Sequence, residues 1–182
     1  LNADKVNHLE ALAESLPGEL KLFEADLKKD GSYFEAMQEC EVIFHTASPF
    51  LLTVEDPQSE LIDPALSGTR NVLQSVNATP SVKRVVITSS CAAIYGDNAD
   101  VEKTADGSFT EADWNTTSSL EHKPYSASKT LAEREAWKLA EEQKRWSLLA
   151  INPSLVLGPG IRPVTTSGSF QLIRELAGGK MK

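Results

Sequence analysis

Arg84-Val85-Val86-Ile87-Thr88-Ser89-Ser90 is a short β-branched run that ends on hydroxyls. Consecutive Val and Ile favour an extended, pleated chain, because branching at Cβ stiffens χ1 and packs well on a sheet. A continuous apolar run, as opposed to an alternating one, is what a strand buried in a parallel sheet carries. Similar runs stand at 20–25, 42–45 and 148–152. Between them lie stretches with helical spacing, at about 4–15, 33–39, 57–76, 126–144 and 169–177, with Gly, Pro, Asn or Asp at the joints. Strand and helix in alternation predict an α/β fold built on a parallel sheet. Ligands of such sheets sit beyond the carboxyl ends of the strands. The residues to inspect are therefore Asp26-Leu27, Thr46-Ala47-Ser48, Ser89-Ser90 and Pro153-Ser154.

Composition narrows the function class. With 182 residues, 41% apolar and 24% charged, the chain reads as one globular domain over 1–182, which excludes disorder, collagen and coiled coil. A core of this size needs no disulfide, so Cys40 and Cys91 read as free thiols of a reducing cytosol. The formal charge of −8 argues against nucleic acid or an anionic membrane as partner. No apolar run approaches the ~20 residues that cross a bilayer, and the opening residues lack a signal-peptide pattern; a cytoplasmic protein is expected. His8, His45 and His122 fall in separate elements without ligand spacing, so no metal is expected. His45 and Cys91 read as packed side chains. The stretch 96–123 reads as an irregular connection with a short helix, and its Trp114 either lines a pocket or packs on its own scaffold.

The chemistry concentrates in Tyr125-Ser126-Ala127-Ser128-Lys129, at the start of a helical pattern. A spacing of four puts Tyr125 and Lys129 on one helix face, a turn apart. An ammonium near a phenol favours the phenolate and is expected to lower the phenol pKa from its usual 10 or so. Such a group can pass a proton to an oxygen on which negative charge develops. Ser90, at the end of its strand, is placed to hold that oxygen; the alternative is simple capping of the strand end. The run Glu133-Arg134-Glu135 with Lys138, Glu141 and Glu142 reads as the solvated face of the same helix.

In order along the chain, Phe23-Glu24-Ala25-Asp26-Leu27, Val42-Ile43-Phe44-His45-Thr46-Ala47-Ser48-Pro49, Gly68-Thr69-Arg70-Asn71-Val72-Leu73, Val85-Val86-Ile87-Thr88-Ser89-Ser90, Tyr125-Ser126-Ala127-Ser128-Lys129-Thr130-Leu131-Ala132-Glu133 and Ile151-Asn152-Pro153-Ser154-Leu155-Val156-Leu157-Gly158-Pro159-Gly160 resemble the extended short-chain dehydrogenase/reductases. Within them the chain resembles the dihydroflavonol reductase and cinnamoyl-CoA reductase group with its microbial aldehyde and ketone reductases, in the epimerase/dehydratase superfamily. The resemblance implies a Rossmann-type, doubly wound parallel sheet and a catalytic group of Ser90, Tyr125 and Lys129. It implies NADP as cofactor, with NAD the alternative, and a small-molecule carbonyl substrate. Tyr125 would donate the proton, Ser90 hold the carbonyl oxygen, and Lys129 hold the nicotinamide ribose. The cofactor-binding positions implied are Lys5, Asp26, Leu27, Thr46, Ala47, Ser48, Ser89, Tyr125, Lys129, Pro153 and Leu155, with Lys5 matching a 2′-phosphate contact. A monomer or homodimer is expected.

Departures from the pattern are informative. The first strand and its Gly-rich turn, which cradles a pyrophosphate at a helix N-terminus, have no counterpart in the sequence, nor does the C-terminal substrate region; the chain is expected to be incomplete at both ends. Plant dihydroflavonol reductases carry Asn where Tyr95 stands, which speaks against a flavonoid substrate. His122-Lys123-Pro124 before Tyr125 speaks against a CoA thioester. Two other readings are a nucleotide-sugar epimerase or dehydratase, disfavoured because Ser89-Ser90-Cys91 lacks an acidic pair, and a non-catalytic NADP-binding sensor, disfavoured because Tyr125 and Lys129 are both kept.

Overall fold

Three of the four apolar runs become strands. In a computed structural model that describes residues 3–48, 54–161 and 168–179, the elements run α1 (Ala3–Glu14), α2 (Phe34–Met37), β1 (Val42–His45), α3 (Asp63–Ala78), β2 (Arg84–Thr88), α4 (Pro124–Glu141), β3 (Ser147–Ile151) and α5 (Gly168–Ala177). A π-helical turn, Gln58–Ile62, leads into α3, and 3₁₀ turns occupy Cys91–Ala93 and Asn98–Lys103. The strands form one parallel sheet in the order β1-β2-β3, with Ile43 opposite Val85 and Val85 opposite Leu148. Helices α3 and α4 are the crossovers that parallel neighbours require.

The run at 20–25 forms no helix and joins no strand ladder, which corrects the expected fourth strand. Its apolar side chains favour extension, yet a strand exists only through a hydrogen-bonded neighbour, and none of β1, β2 or β3 pairs with it.

Contacts divide the chain into two compact units, Glu24–Ser154, and Leu1–Phe23 with Leu155–Lys182, where the sequence reads as one domain. The larger unit holds the sheet and its core. Leu73, Val76, Val82, Val85 and Ala136 are fully enclosed, and Val72, Trp146 and Leu148 pack with them, so α3 and α4 cover one face of the sheet. Side chains of the opposite register, Phe44, Leu149 and Ile151, are exposed. The smaller unit holds α1 and α5; in it Val156, Leu157, Phe170 and Ile173 line a shallow apolar pocket.

Two buried asparagines organise the connections. Asn71 of α3 accepts from the Gly31 amide at 2.9 Å and donates to the carbonyls of Asp26, Leu27 and Lys29 at 3.2, 3.1 and 2.8 Å, which ties the 26–31 turn to the helix. Asn115 donates to the Ala92 carbonyl at 2.8 Å and accepts from the Thr117 and Ser118 amides, both at 3.1 Å. The stretch 96–123 is thus built around hydrogen bonds, with the short 3₁₀ helix that its sequence suggests. Among the described residues no helix is long and apolar enough to cross a membrane.

Candidate active site

All three strands point their carboxyl ends the same way, so the residues just after β1, β2 and β3 share one edge of the sheet. Ser90 follows β2 in an extended conformation. Its Oγ accepts from the Ala92 amide at 3.2 Å, which caps the 3₁₀ turn Cys91–Ala93. The same side chain is hydrogen-bonded to the Tyr125 phenol. Helix α4 delivers Tyr125 in its first turn. The chain enters through Lys123, in the left-handed region at φ 55°, with Pro124 at the start of the helix, a position that suits proline's fixed φ and missing N–H. The Lys123 ammonium pairs with Asp97 at 2.6 Å and donates to the Gly96 carbonyl, and His122 contacts the same Asp97 at 2.8 Å. The strained entry is held by these bonds.

One turn on, Lys129 is 8% exposed. Its Nζ lies 5.9 Å from the centre of the Tyr125 ring and donates to Ser48 Oγ, just after β1, at 2.8 Å. Burial pushes the ammonium below its ordinary range, and the charge of Glu133 works against that. His45, at the end of β1, is held neutral: burial first, then the Lys129 charge, bring it down to about 4. The sequence suggests that Lys129 lowers the Tyr125 phenol. The structure corrects this. Burial dominates and raises Tyr125, the Ser90 hydrogen bond lowers it, and Cys91 adds to the rise. A phenol so placed keeps its proton at neutral pH, the state an acid needs.

A cavity at this edge is lined by Leu27, Ala47, Ser48, Ser89 and Lys129 among others, so five of the expected residues meet there. Gly68 of α3 makes room for Leu27, since a Cβ on it would lie 3.1 Å from the Leu27 side chain. Asp26 and Thr46 are exposed and do not line it, although Asp26 Oδ1 accepts from the Lys28 amide and stabilises the adjoining turn. Pro153 accepts from the Cys91 amide at 3.0 Å through its carbonyl. Leu155 belongs to the smaller unit, as does Lys5, whose side chain lies outside the described residues.

Some contributors escape composition-based reading. Glu133 is 7% exposed, not solvated. Its carboxylate accepts from Ser89 Oγ, from Asn152 Nδ2 at 2.8 Å and from Trp137 Nε1 at 3.3 Å. The signal was its spacing of four from Lys129, which places it on the inner face. Cys91 is half-buried and hydrogen-bonded to Tyr95, whose ring stacks on Phe109 at 4.6 Å. Trp114 lies 5.0 Å from the Arg134 guanidinium.

A nicotinamide cofactor fits part of this arrangement. Lys129 Nζ makes one hydrogen bond among the described residues, so its remaining protons are available to hydroxyls in the cavity it lines. Comparison agrees with that chemistry. Residues 2–181 match the NAD dependent epimerase/dehydratase family. Cinnamoyl-CoA reductase CAD2 of Medicago truncatula is 42% identical over 97% of this chain and 53% of its own length. Gre2 of Candida albicans, solved with NADPH, superposes with a TM-score of 0.73 at 36% identity, over 87% of this chain and 49% of its own. Yeast methylglyoxal/isovaleraldehyde reductase Gre2, also with NADPH, gives 0.71 at 30% identity, over 86% and 49%. The chain spans about half the length of the curated relatives it matches. With a three-stranded parallel sheet of Rossmann type and a Ser-Tyr-Lys group at its carboxyl edge, the chain belongs to the NAD dependent epimerase/dehydratase family.

Proposed function

We propose that this chain carries the proton-donating part of an NADP-preferring carbonyl reductase that acts on small aldehydes or ketones. The observation that carries the reading is the hydrogen bond between Ser90 and Tyr125, one helical turn from the buried Lys129. Bound NADPH supplies the hydride that a carbonyl carbon accepts. The carbonyl oxygen then takes the Tyr125 proton, so hydride and proton together yield the alcohol. With substrate bound, Ser90 turns its single proton from the Tyr125 phenol to that oxygen and stabilises the charge that grows there. Lys129 holds the nicotinamide ribose, and its positive charge favours the tyrosinate that remains once Tyr125 has given up its proton.

Leu27, Ala47, Ser48 and Ser89 form the wall for the cofactor, with Asp26, Thr46 and Pro153 in the adjoining segments; Lys5, as a 2′-phosphate contact, and Leu155 are assigned to the cofactor from the family resemblance. Support for the cofactor comes from the two Gre2 structures with NADPH. The yeast relative's aldehyde substrates agree with the small-carbonyl reading. The histidine, lysine and proline before Tyr125 speak against a CoA thioester, whereas the likeness to cinnamoyl-CoA reductase CAD2 speaks for one; the substrate panel below decides between them.

The test is oxidation of NADPH and NADH by the protein at its full encoded length, against aldehydes, ketones, CoA thioesters and nucleotide sugars. Tyr125→Phe should lower turnover by roughly 10²–10⁴, the size expected for loss of a general acid, and leave NADPH binding nearly intact. Unchanged turnover sinks the assignment. Conversion of a nucleotide sugar without net cofactor change would replace it with the epimerase reading.

A further inference from the structure

Glu133 does something that neither the family likeness nor the proton-transfer chemistry assigns to it. Tyr125, Lys129 and Glu133 recur at intervals of four along α4, so all three side chains project from one face. The Glu133 carboxylate gathers donors from both neighbouring strand ends: Ser89, directly after β2, and Asn152, directly after β3. Asn152 Nδ2 also donates to the backbone carbonyl of Ser90, at 3.1 Å. One buried side chain of the helix that bears the acid thereby fastens the strand end that bears its hydrogen-bond partner.

The charge matters as well as the bonds. A carboxylate buried to this extent is costly unless donors and a cation compensate it. Among the described residues Glu133 has no salt bridge within 4.0 Å, and Lys129 is the cation that responds to it. The titratable groups that face Lys129 are Glu133 and Tyr125 from α4 and His45 from β1. Of these, Glu133 supplies the negative charge, because His45 is neutral and Tyr125 protonated.

We infer that Glu133 is a positioning residue: it clamps the ends of β2 and β3 to α4 so that Ser90 meets Tyr125, and it sets a carboxylate one helical turn from Lys129. The inference rests on the reductase reading above. A purely structural carboxylate would act otherwise, since its loss would lower stability and the fraction of active molecules while leaving the pH dependence of the survivors alone.

Glu133→Gln separates the two, because it keeps the volume and one accepting oxygen but removes the charge. In the full-length protein, kcat per active site should fall about tenfold, the scale of a modest positional error, and the basic limb of the kcat profile should move to lower pH. Glu133→Asp should restore the limb without restoring all of kcat. A readout independent of turnover is the ¹⁵N NMR titration of Lys129 Nζ, identified with Lys129→Arg, which should move to lower pH in Glu133→Gln. Wild-type kcat with an unmoved Lys129 titration in the folded variant overturns the inference. If Glu133→Gln does not fold, Asn152→Ala decides: it breaks the link between Glu133 and the Ser90 carbonyl, and kcat must fall about tenfold with the Lys129 titration unmoved. Unchanged kcat there overturns the clamp. A wild-type protein silent toward every carbonyl refutes the reductase reading instead, and the Lys129 titration still decides the role of Glu133.

Discussion

Replacing Asn71 by Ala tests whether one amide builds the Leu27 wall of the cavity. Asn71 is 1% exposed and makes four hydrogen bonds to the backbone of the 26–31 turn. Its two amide protons are shared by three carbonyls, so about three independent bonds are lost. At about 1 kcal/mol net for each, the cost is about 3 kcal/mol, reduced toward about 2 because Asp26 and Lys29 are exposed and water can take their carbonyls. Urea unfolding should show the midpoint falling at unchanged slope. NADPH affinity should weaken too, because this turn carries Leu27, which packs on Gly68 and lines the cavity. Asn71→Asp sharpens the argument. It retains the acceptor for the Gly31 amide but turns a donor into an oxygen facing three carbonyl oxygens, so at pH 7 it should cost at least as much as Ala. The buried carboxyl would have a folded pKa above its unfolded one, so its penalty relative to wild type should shrink as pH falls and grow as pH rises. A loss below about 1 kcal/mol in Asn71→Ala, or an Asp variant as stable as wild type at pH 7, would show that this amide does not hold the turn.

Two further outcomes follow from burial and space. His45 is depressed from 6.5 to about 4 in the fold, so its neutral form stabilises the protein fully above about pH 6.5, and that stability, about 3 kcal/mol, is lost as pH falls from there toward 4. In His45→Gln this part of the acid slope should vanish from the pH dependence of unfolding, and an unchanged slope would show that His45 is not its source. Gly96→Ala would set a Cβ 2.3 Å from Thr117 Oγ1 and 2.7 Å from Asn115 Oδ1. It should cost about 2–3 kcal/mol, visible as a lowered Tm, and should lower turnover as well, since the Gly96 carbonyl holds Lys123 at the entry to α4.

Much of the sheet is legible because branched residues at 42–45, 84–88 and 148–152 state an intrinsic preference that the tertiary structure then uses. The 20–25 run states the same preference without becoming a strand, because pairing depends on a neighbour that composition cannot specify. Helix α4 shows the complementary failure. Charge density suggested a solvated face over 133–135, yet the helical period places Glu133 four residues beyond Lys129 and under the sheet edge. Periodicity was the better guide there than composition. The Tyr125 phenol fails for a different reason: spacing reveals that a lysine lies one turn away, but burial, which decides the sign, belongs to the packing of residues distant in sequence.

Ser90 shows why a bland and a functional reading of one residue need not compete. A serine at a strand end was open to explanation as a cap, and it is a cap: its oxygen accepts from the Ala92 amide. A hydroxyl has two lone pairs and a single proton. Once the oxygen accepts from that amide, the proton is turned away from the 3₁₀ turn, and the Tyr125 phenol lies where it can receive it. Capping therefore orients the donor that a carbonyl oxygen would meet beside Tyr125, and the local turn that satisfies the backbone is the same device that prepares the site.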